Sequence, residues 1–326
     1  MLPLPRAVAD GIDVLLDRTV APGYTRIGPA VRRRLPTWPA DPPPGALRGR
    51  TAVVTGATSG LGLATAEGLA RLGADVVLVG RDEAKGERVA AELAGRHPDA
   101  RFQLARCDVS DLDDVRRFAG ELPGQLAAGR VDVLVHNAGA MPPRRTESPQ
   151  GHELTMALHV LGPVLMTELL LPRLTDGRVV LVTSGGMYAQ RLRDDDPEYL
   201  QGDYSPTTAY ARSKRAQVEL LPVLEQRWSG AGVSVHATHP GWADTPGVVE
   251  SLPRFHRLTG PLLRDAESGA DTTVWLCATE PVPTGGMLWH DRRPRPSHVL
   301  RRTRTGEEER ARLWDWVRGQ LDLPSP

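Results

Sequence analysis

Six short runs rich in β-branched residues, each followed by a longer amphipathic stretch, constrain this chain more than any other feature. They are Ala52 to Thr55, Asp75 to Val79, Arg101 to Ala105, Val131 to His136, Val179 to Thr183 and Val233 to Thr238. Strands that alternate with helical stretches build a parallel sheet with crossover helices on its faces. The expected fold is α/β, a doubly wound parallel sheet spanning residues 50–290. Ligands bind such a sheet beyond the carboxyl ends of its strands, so the residues that follow each run are the ones to read for chemistry.

After the first run comes Thr55-Gly56-Ala57-Thr58-Ser59-Gly60-Leu61-Gly62. Glycines where a strand turns into a helix let the backbone approach a pyrophosphate, whose charge then faces the helix N-terminus. The spacing is Gly-x-x-x-Gly-x-Gly rather than Gly-x-Gly-x-x-Gly. A lone glycine turn could be purely structural, but one placed after a first strand and before an amphipathic helix points to nucleotide binding on a Rossmann-type sheet. The second run ends at Gly80-Arg81. A carboxylate there would hold a ribose 2′-hydroxyl, and an arginine would accept a 2′-phosphate. Arg81 therefore leans the coenzyme to NADP, and nearby Asp82 leaves NAD open. Asp108 and Val109 follow the third run, where Asp108 could meet the adenine. Asn137, Ala138 and Gly139 follow the fourth, small enough for the coenzyme backbone to come close.

Tyr210 and Lys214 stand four apart in Tyr-Ala-Arg-Ser-Lys, a spacing that puts both on one helix face. A nearby ammonium favours phenolate, and taking tyrosine from its ordinary pKa of about 10 to about 7 requires roughly 4 kcal/mol. Lysine is scarce here: of 40 basic residues only Lys85 and Lys214 are lysines. Arginine would not replace it well, because its planar fork is not a compact, tunable ammonium. The fifth run ends on Ser184, placed to hydrogen-bond a substrate carbonyl. Read alone, Ser184 is a strand-end serine capping a loop; Tyr210 gives it chemical meaning. The 26 positions between them carry Asp194, Asp195, Asp196 and Tyr199 and read as a loop bordering a substrate pocket.

Taken in order, Thr55 to Gly62, Asn137-Ala138-Gly139, Ser184, Tyr210 to Lys214 and Pro240-Gly241-Trp242-Ala243-Asp244-Thr245 resemble the short-chain dehydrogenase/reductase family. Ser184-Gly185-Gly186-Met187, the run His239 to Val248 and the N-terminal extension more particularly resemble its member 12 group. The resemblance implies a catalytic tyrosine acid/base in Tyr210, a lysine that lowers its pKa and binds the nicotinamide ribose in Lys214, and a carbonyl-polarising serine in Ser184. It implies a Pro240–Gly241 turn and Thr245 at the nicotinamide carboxamide. The family's relay asparagine is replaced by His159. That residue would bind the relay water, mark a weakened relay, or be a satisfied core histidine; in the first case its titration near pH 6.5 should appear in the pH profile.

The reading is thus a dehydrogenase/reductase interconverting a small-molecule carbonyl and an alcohol with NADP or NAD. Its rival is a nucleotide sensor or scaffold on the same fold. Basic and acidic residues balance at 40 each, so no net field draws the chain to nucleic acid or an anionic membrane. No run approaches 18 uninterrupted apolar residues, and two cysteines, Cys107 and Cys277, make neither a disulfide framework nor a metal set. No metal and no transmembrane segment are expected, and the location is read as cytoplasmic. Residues 1–49 form a separate extension. Val8, Ile12, Leu15 and Leu16 fall on one helical stripe with Asp10, Asp13 and Asp17 facing away, so the stripe is expected to pack on the enzyme body or on a second subunit in a homo-oligomer. A proline-rich connector follows. Residues 291–326 are a tail in which Thr305 to Glu308 matches a capping box ahead of an apolar pattern through Leu313, Val317 and Leu321.

Overall fold

The six expected strands form, each within two residues of its expected ends: β1 (Thr51–Thr55), β2 (Asp75–Gly80), β3 (Phe102–Arg106), β4 (Val133–His136), β5 (Arg178–Val182) and β6 (Ser234–Thr238). Two more, β7 (Met287–His290) and β8 (Arg293–Arg295), continue the sheet. The chain is described from a computed structural model covering residues 4–174, 176–251 and 253–324. Strand order is β3-β2-β1-β4-β5-β6-β7-β8, parallel throughout except for the β7–β8 hairpin. The order reverses between β1 and β4, which opens the crevice where a dinucleotide lies in folds of this kind. Val53, Val54, Val135, Val179 and Val180 are buried, as strands covered on both faces require.

Helices α1 (Arg6–Arg18), α2 (Ala21–Tyr24) and α3 (Ile27–Arg32) precede the sheet. One sheet face is covered by α4 (Gly60–Arg71) and α5 (Glu83–Arg96), the other by α6 (Leu112–Gln125). The short α7 (Leu154–Met156) runs through a π-helical turn, Ala157–Leu161, into α8 (Gly162–Leu170), and α9 (Pro206–Trp228) packs beside it. Next come α10 (Pro246–Ser251), α11 (Pro253–Thr259) and α12 (Ala266–Ala278), the last lying against α4. Finally α13 (Glu307–Gln320) lies on α9, with Leu313, Val317 and Leu321 buried as their spacing predicts. Its start falls one residue late: Glu309 Oε2, not Glu308, accepts the hydrogen bond, from the Gly306 N–H at 2.7 Å. The stretch Leu154–Arg173 is long and apolar enough to cross a membrane by length and composition, but most of it is buried as the core helix under the sheet.

Of the two places expected for the apolar stripe, the enzyme body is not the one: the N-terminal helix docks there by its acidic face. Val8 and Leu15 are exposed, whereas Asp13 is buried in ion pairs with Arg32 (2.7 Å) and Arg295 (2.7 Å). Arg295 also reaches Asp17, and Arg293 reaches Asp10. The acidic face docks because the body offers arginines there, and paired, hydrogen-bonded charges can be buried where lone ones cannot.

Candidate active site

At the crevice, the glycine turn leaves its backbone open. Gly56 and Gly60 have φ of +65° and +52°, and a Cβ on Gly62 would lie 2.2 Å from the Gly56 carbonyl oxygen and 2.4 Å from Asn137 Nδ2. Only glycine fits that approach. Ser59 is the N-cap of α4, yet its hydroxyl makes no capping bond, and Gly60 and Leu61 begin a 12-residue helix. The N-terminal N–H groups, Ser59 and the helix dipole thus suit a pyrophosphate. Thr245, at the start of α10, stands 3.4 Å from the Gly60 Cβ position, across the same turn.

Asn137 ties the strands that frame this crevice. Its Nδ2 donates to the Thr55 carbonyl (3.0 Å), while the N–H groups of Asn137 and Ala138 both donate to Thr55 Oγ1 (3.0 Å each). Thr55 and Asn137 are therefore braces of the cradle, and the small residues Ala138 and Gly139 keep its floor low. Asp108 Oδ1 is engaged by the N–H and hydroxyl of Ser110 (2.9 and 2.6 Å). Val109 is buried, its carbonyl against Gly162. At the end of β2, Arg81 is exposed, and Asp82 caps α5 by accepting from the Lys85 N–H at 2.9 Å. Gly80 faces Thr58, so no carboxylate stands at the strand end itself.

Ser184, Tyr210 and Lys214 converge beyond β5. Ser184 starts a 3-10 turn and its Oγ accepts from the Gly186 N–H at 3.3 Å, while the same hydroxyl acts on the Tyr210 phenol to oppose its upward shift. Lys214 Nζ lies 5.7 Å from the Tyr210 ring centre and donates to the Val182 carbonyl at 2.8 Å. In return Thr183 Oγ1 donates to the Lys214 carbonyl at 3.0 Å, which locks α9 to the end of β5. Burial opposes the expected phenolate. Burial pushes Tyr210 up to about 12, only partly opposed by Ser184, and burial pushes Lys214 down to about 7. The cause is shared desolvation: the ammonium faces a carbonyl dipole rather than a counter-charge.

His159 lies in the π-helical turn, with its ring edge-on to Tyr210 at 5.2 Å. Ser213 donates its hydroxyl proton to the Tyr210 carbonyl (2.9 Å), so His159 Nδ1–H donates to Ser213 Oγ (2.8 Å), and Nε2 accepts from the Ala140 N–H (3.3 Å). Gln217 Nε2 occupies its carbonyl at 2.6 Å. Both ring nitrogens are satisfied within the fold, and burial together with Lys214 holds the imidazole well below its ordinary range. The titration near pH 6.5, expected only if His159 held the relay water, is disfavoured by this burial. Two contributors escaped sequence reading. Gln217, one turn beyond Ser213, had no motif to mark it, and Tyr24 from the N-terminal segment reaches the turn after Ser184.

A Rossmann-type sheet with a pyrophosphate cradle at its reversal and a Ser–Tyr–Lys set beyond β5 defines a nicotinamide-nucleotide oxidoreductase. The comparisons narrow the class. The short chain dehydrogenase family model matches residues 50–193. The chain is 38% identical to dehydrogenase/reductase SDR family member 12 of Bos taurus over 81% of this chain and 84% of that protein. It is 34% identical to retinol dehydrogenase 12 of Bos taurus, covering 82% and 85% of the two. A crystal structure of a Mycobacterium paratuberculosis protein superposes with a TM-score of 0.69 at 31% identity, over 87% of this chain and 99% of that one. A Pseudomonas aeruginosa RhlG complex with NADP superposes at 0.61 and 26% identity, over 76% and 96%. The chain belongs to the short-chain dehydrogenase/reductase family and is an NAD(P)-dependent oxidoreductase acting on CH–OH/C=O groups.

Proposed function

We propose that the chain is an NADP-preferring carbonyl reductase, with Tyr210 as acid/base, Ser184 as the group that polarises the carbonyl and Lys214 as the cation that tunes Tyr210. The observation that carries it is the convergence of these three side chains beyond β5, on the crevice side of the glycine turn. A nicotinamide coenzyme bound there supplies or takes the hydride; the protein's own part is to place the carbonyl between Ser184 and Tyr210 and to move one proton at the Tyr210 oxygen. NADP preference rests on Arg81, an exposed cation with no ion pair among the described residues, together with the commitment of Asp82 to a helix cap. The RhlG complex holds NADP, which agrees. Two buried free cysteines fit the reducing cytoplasm inferred from sequence.

The test is a panel of ketones, aldehydes and secondary alcohols followed by nicotinamide absorbance with each coenzyme. Turnover is expected with NADPH in excess of NADH, and Arg81→Ala should weaken NADPH by roughly tenfold or more, the worth of a charge-assisted contact of 1.5–3 kcal/mol, while sparing NADH. Equal losses for both coenzymes would remove Arg81 as selector.

A further inference from the structure

The N-terminal segment does not merely lean on the body; residues 23–25 are threaded between the turns that form the site. Tyr24 is buried, with its ring edge-on to His239 at 4.4 Å and to His290 at 5.1 Å. On one side, a Cβ on Gly185, the residue after Ser184, would come within 3.2 Å of Tyr24 Cε2 and 2.7 Å of His239 Nε2. On the other, a Cβ on Gly241, whose φ is +77°, would come within 2.7 Å of the Tyr24 carbonyl oxygen. That same carbonyl accepts the Trp242 N–H at 2.7 Å. Both turns are thus glycines where Tyr24 passes, and a larger residue at either would displace it.

Arg264 completes the arrangement. Its backbone pairs with Trp242 and Asp244 (2.8 Å each), which pins together the two ends of the excursion 245–263 carrying α10 and α11. Its side chain, 1% exposed, donates to the carbonyls of Tyr24 (2.9 Å) and Gly23 (2.7 Å) and to both oxygens of Asp291 (2.6 and 3.0 Å). Arg32 reaches Asp291 as well (2.5 Å) and the Gly23 carbonyl (3.0 Å). The excursion begins at Thr245, opposite the glycine turn. A guanidinium that spends its donors on the N-terminal segment and on the base of that excursion couples one to the other, since no lysine could span the same set of acceptors.

We propose that Tyr24 and Arg264 are positioning residues of the active site: Tyr24 sets the Ser184–Gly185 and Pro240–Gly241 turns, and Arg264 latches the base of the excursion 245–263 to the N-terminal segment so that Thr245 is held opposite the glycine turn. This rests on the functional reading above for the identity of the coenzyme, but not for the latch itself.

Arg264→Lys keeps the charge and loses the span. It should weaken NADPH binding roughly tenfold or more, the scale set by small misplacements of binding groups, and should speed amide hydrogen exchange across 245–263 while the sheet stays protected. Tyr24→Ala should raise KM for the carbonyl substrate more than it lowers kcat, and Tyr24→Phe, which keeps the ring, should recover most of that loss. If Arg264→Lys proves too unstable to assay, Gly185→Ala crowds His239 and, beside it, the Tyr24 ring while leaving Arg264 itself unaltered, and the same KM rise is expected. Unchanged exchange and unchanged coenzyme affinity in folded Arg264→Lys would overturn the latch. Wild-type protein that binds neither coenzyme would instead overturn the functional reading, and the exchange rates would still decide the latch.

Discussion

Tyr210 and Lys214 are each desolvated, and desolvation acts on them in opposite senses: the phenol rises to about 12 and the ammonium falls to about 7. Between pH 7 and 10.5 the unfolded chain therefore carries a proton on Lys214 that burial disfavours in the native chain. Stability from this group rises with pH across that window, by up to about 1.4 kcal/mol per unit. Urea unfolding from pH 7 to 9.5 should show this slope in wild type and lose it in Lys214→Met; parallel curves would mean that Lys214 stays charged. If Tyr210 is the acid/base proposed above, Tyr210→Phe removes the proton delivered to the carbonyl oxygen, so turnover should fall to background with coenzyme affinity nearly unchanged, as kinetics and fluorescence titration would show. The positions of this set were legible in sequence because each follows a strand or sits at helical spacing. Their ionisation was not, because it depends on burial and on which carbonyl the ammonium meets. His159 illustrates the same limit. Sequence placed it in the site, but only the partners of its two ring nitrogens, Ser213 and Ala140, show it to be a neutral, fixed group.

Among the elements, the six strands around the crevice were readable because β-branched runs flanked by turn residues have few alternatives. The β7–β8 hairpin was not. Its turn residues, Asp291 and Arg292, have φ of +49° and +56°, a conformation usually announced by Asn-Gly, and β8 is three residues long with a proline at its centre. What holds them is tertiary: Asp291 meets Arg32 and Arg264, and Arg292 meets Asp271 at 2.8 Å. That α1 does not bury its stripe on the enzyme body was unreadable for a related reason. An apolar stripe predicts its own burial only when the surface opposite is apolar, and here that surface is arginine. Asp13→Asn should therefore destabilise by about 3–5 kcal/mol, because it weakens the pairing of two buried guanidiniums, whereas Leu15→Ser should stay within about 0.5 kcal/mol. Thermal melts of the two variants decide it; the reverse order would mean that α1 docks by its apolar face.

Over the whole molecule, several of the buried titratable groups are histidines held neutral. The chain has nine histidines, and His136, His159, His236, His239 and His290 are all buried. Burial lowers each: His136 to about 3, His236 and His290 to about 4, and His159 and His239 well below their ordinary range. A base whose native pKa is depressed is protonated first in the unfolded chain, so as pH falls below about 6.5 each of the five shifts the balance toward unfolding, by up to about 1.4 kcal/mol per unit. Asp13 and Asp291 do not add to this. Burial would raise both, but their arginine partners outweigh it and hold them below the ordinary carboxylate range, so their contribution persists until pH falls below about 4. The protein should accordingly lose stability as pH falls below about 6.5, before its ion pairs begin to fail. His236 is the sharpest probe: neither ring nitrogen has a hydrogen-bond partner, and the ring rests edge-on to Trp289 at 6.2 Å. His236→Leu trades two unpaired polar atoms for a side chain of similar volume, so it should stabilise at pH 7 by about 1–3 kcal/mol and lower the acid midpoint by one fewer proton taken up. Circular dichroism across the acid transition tests both effects, and a His236→Leu variant less stable than wild type at pH 7 with an unshifted midpoint would show that the imidazole is bound in a way its burial does not suggest.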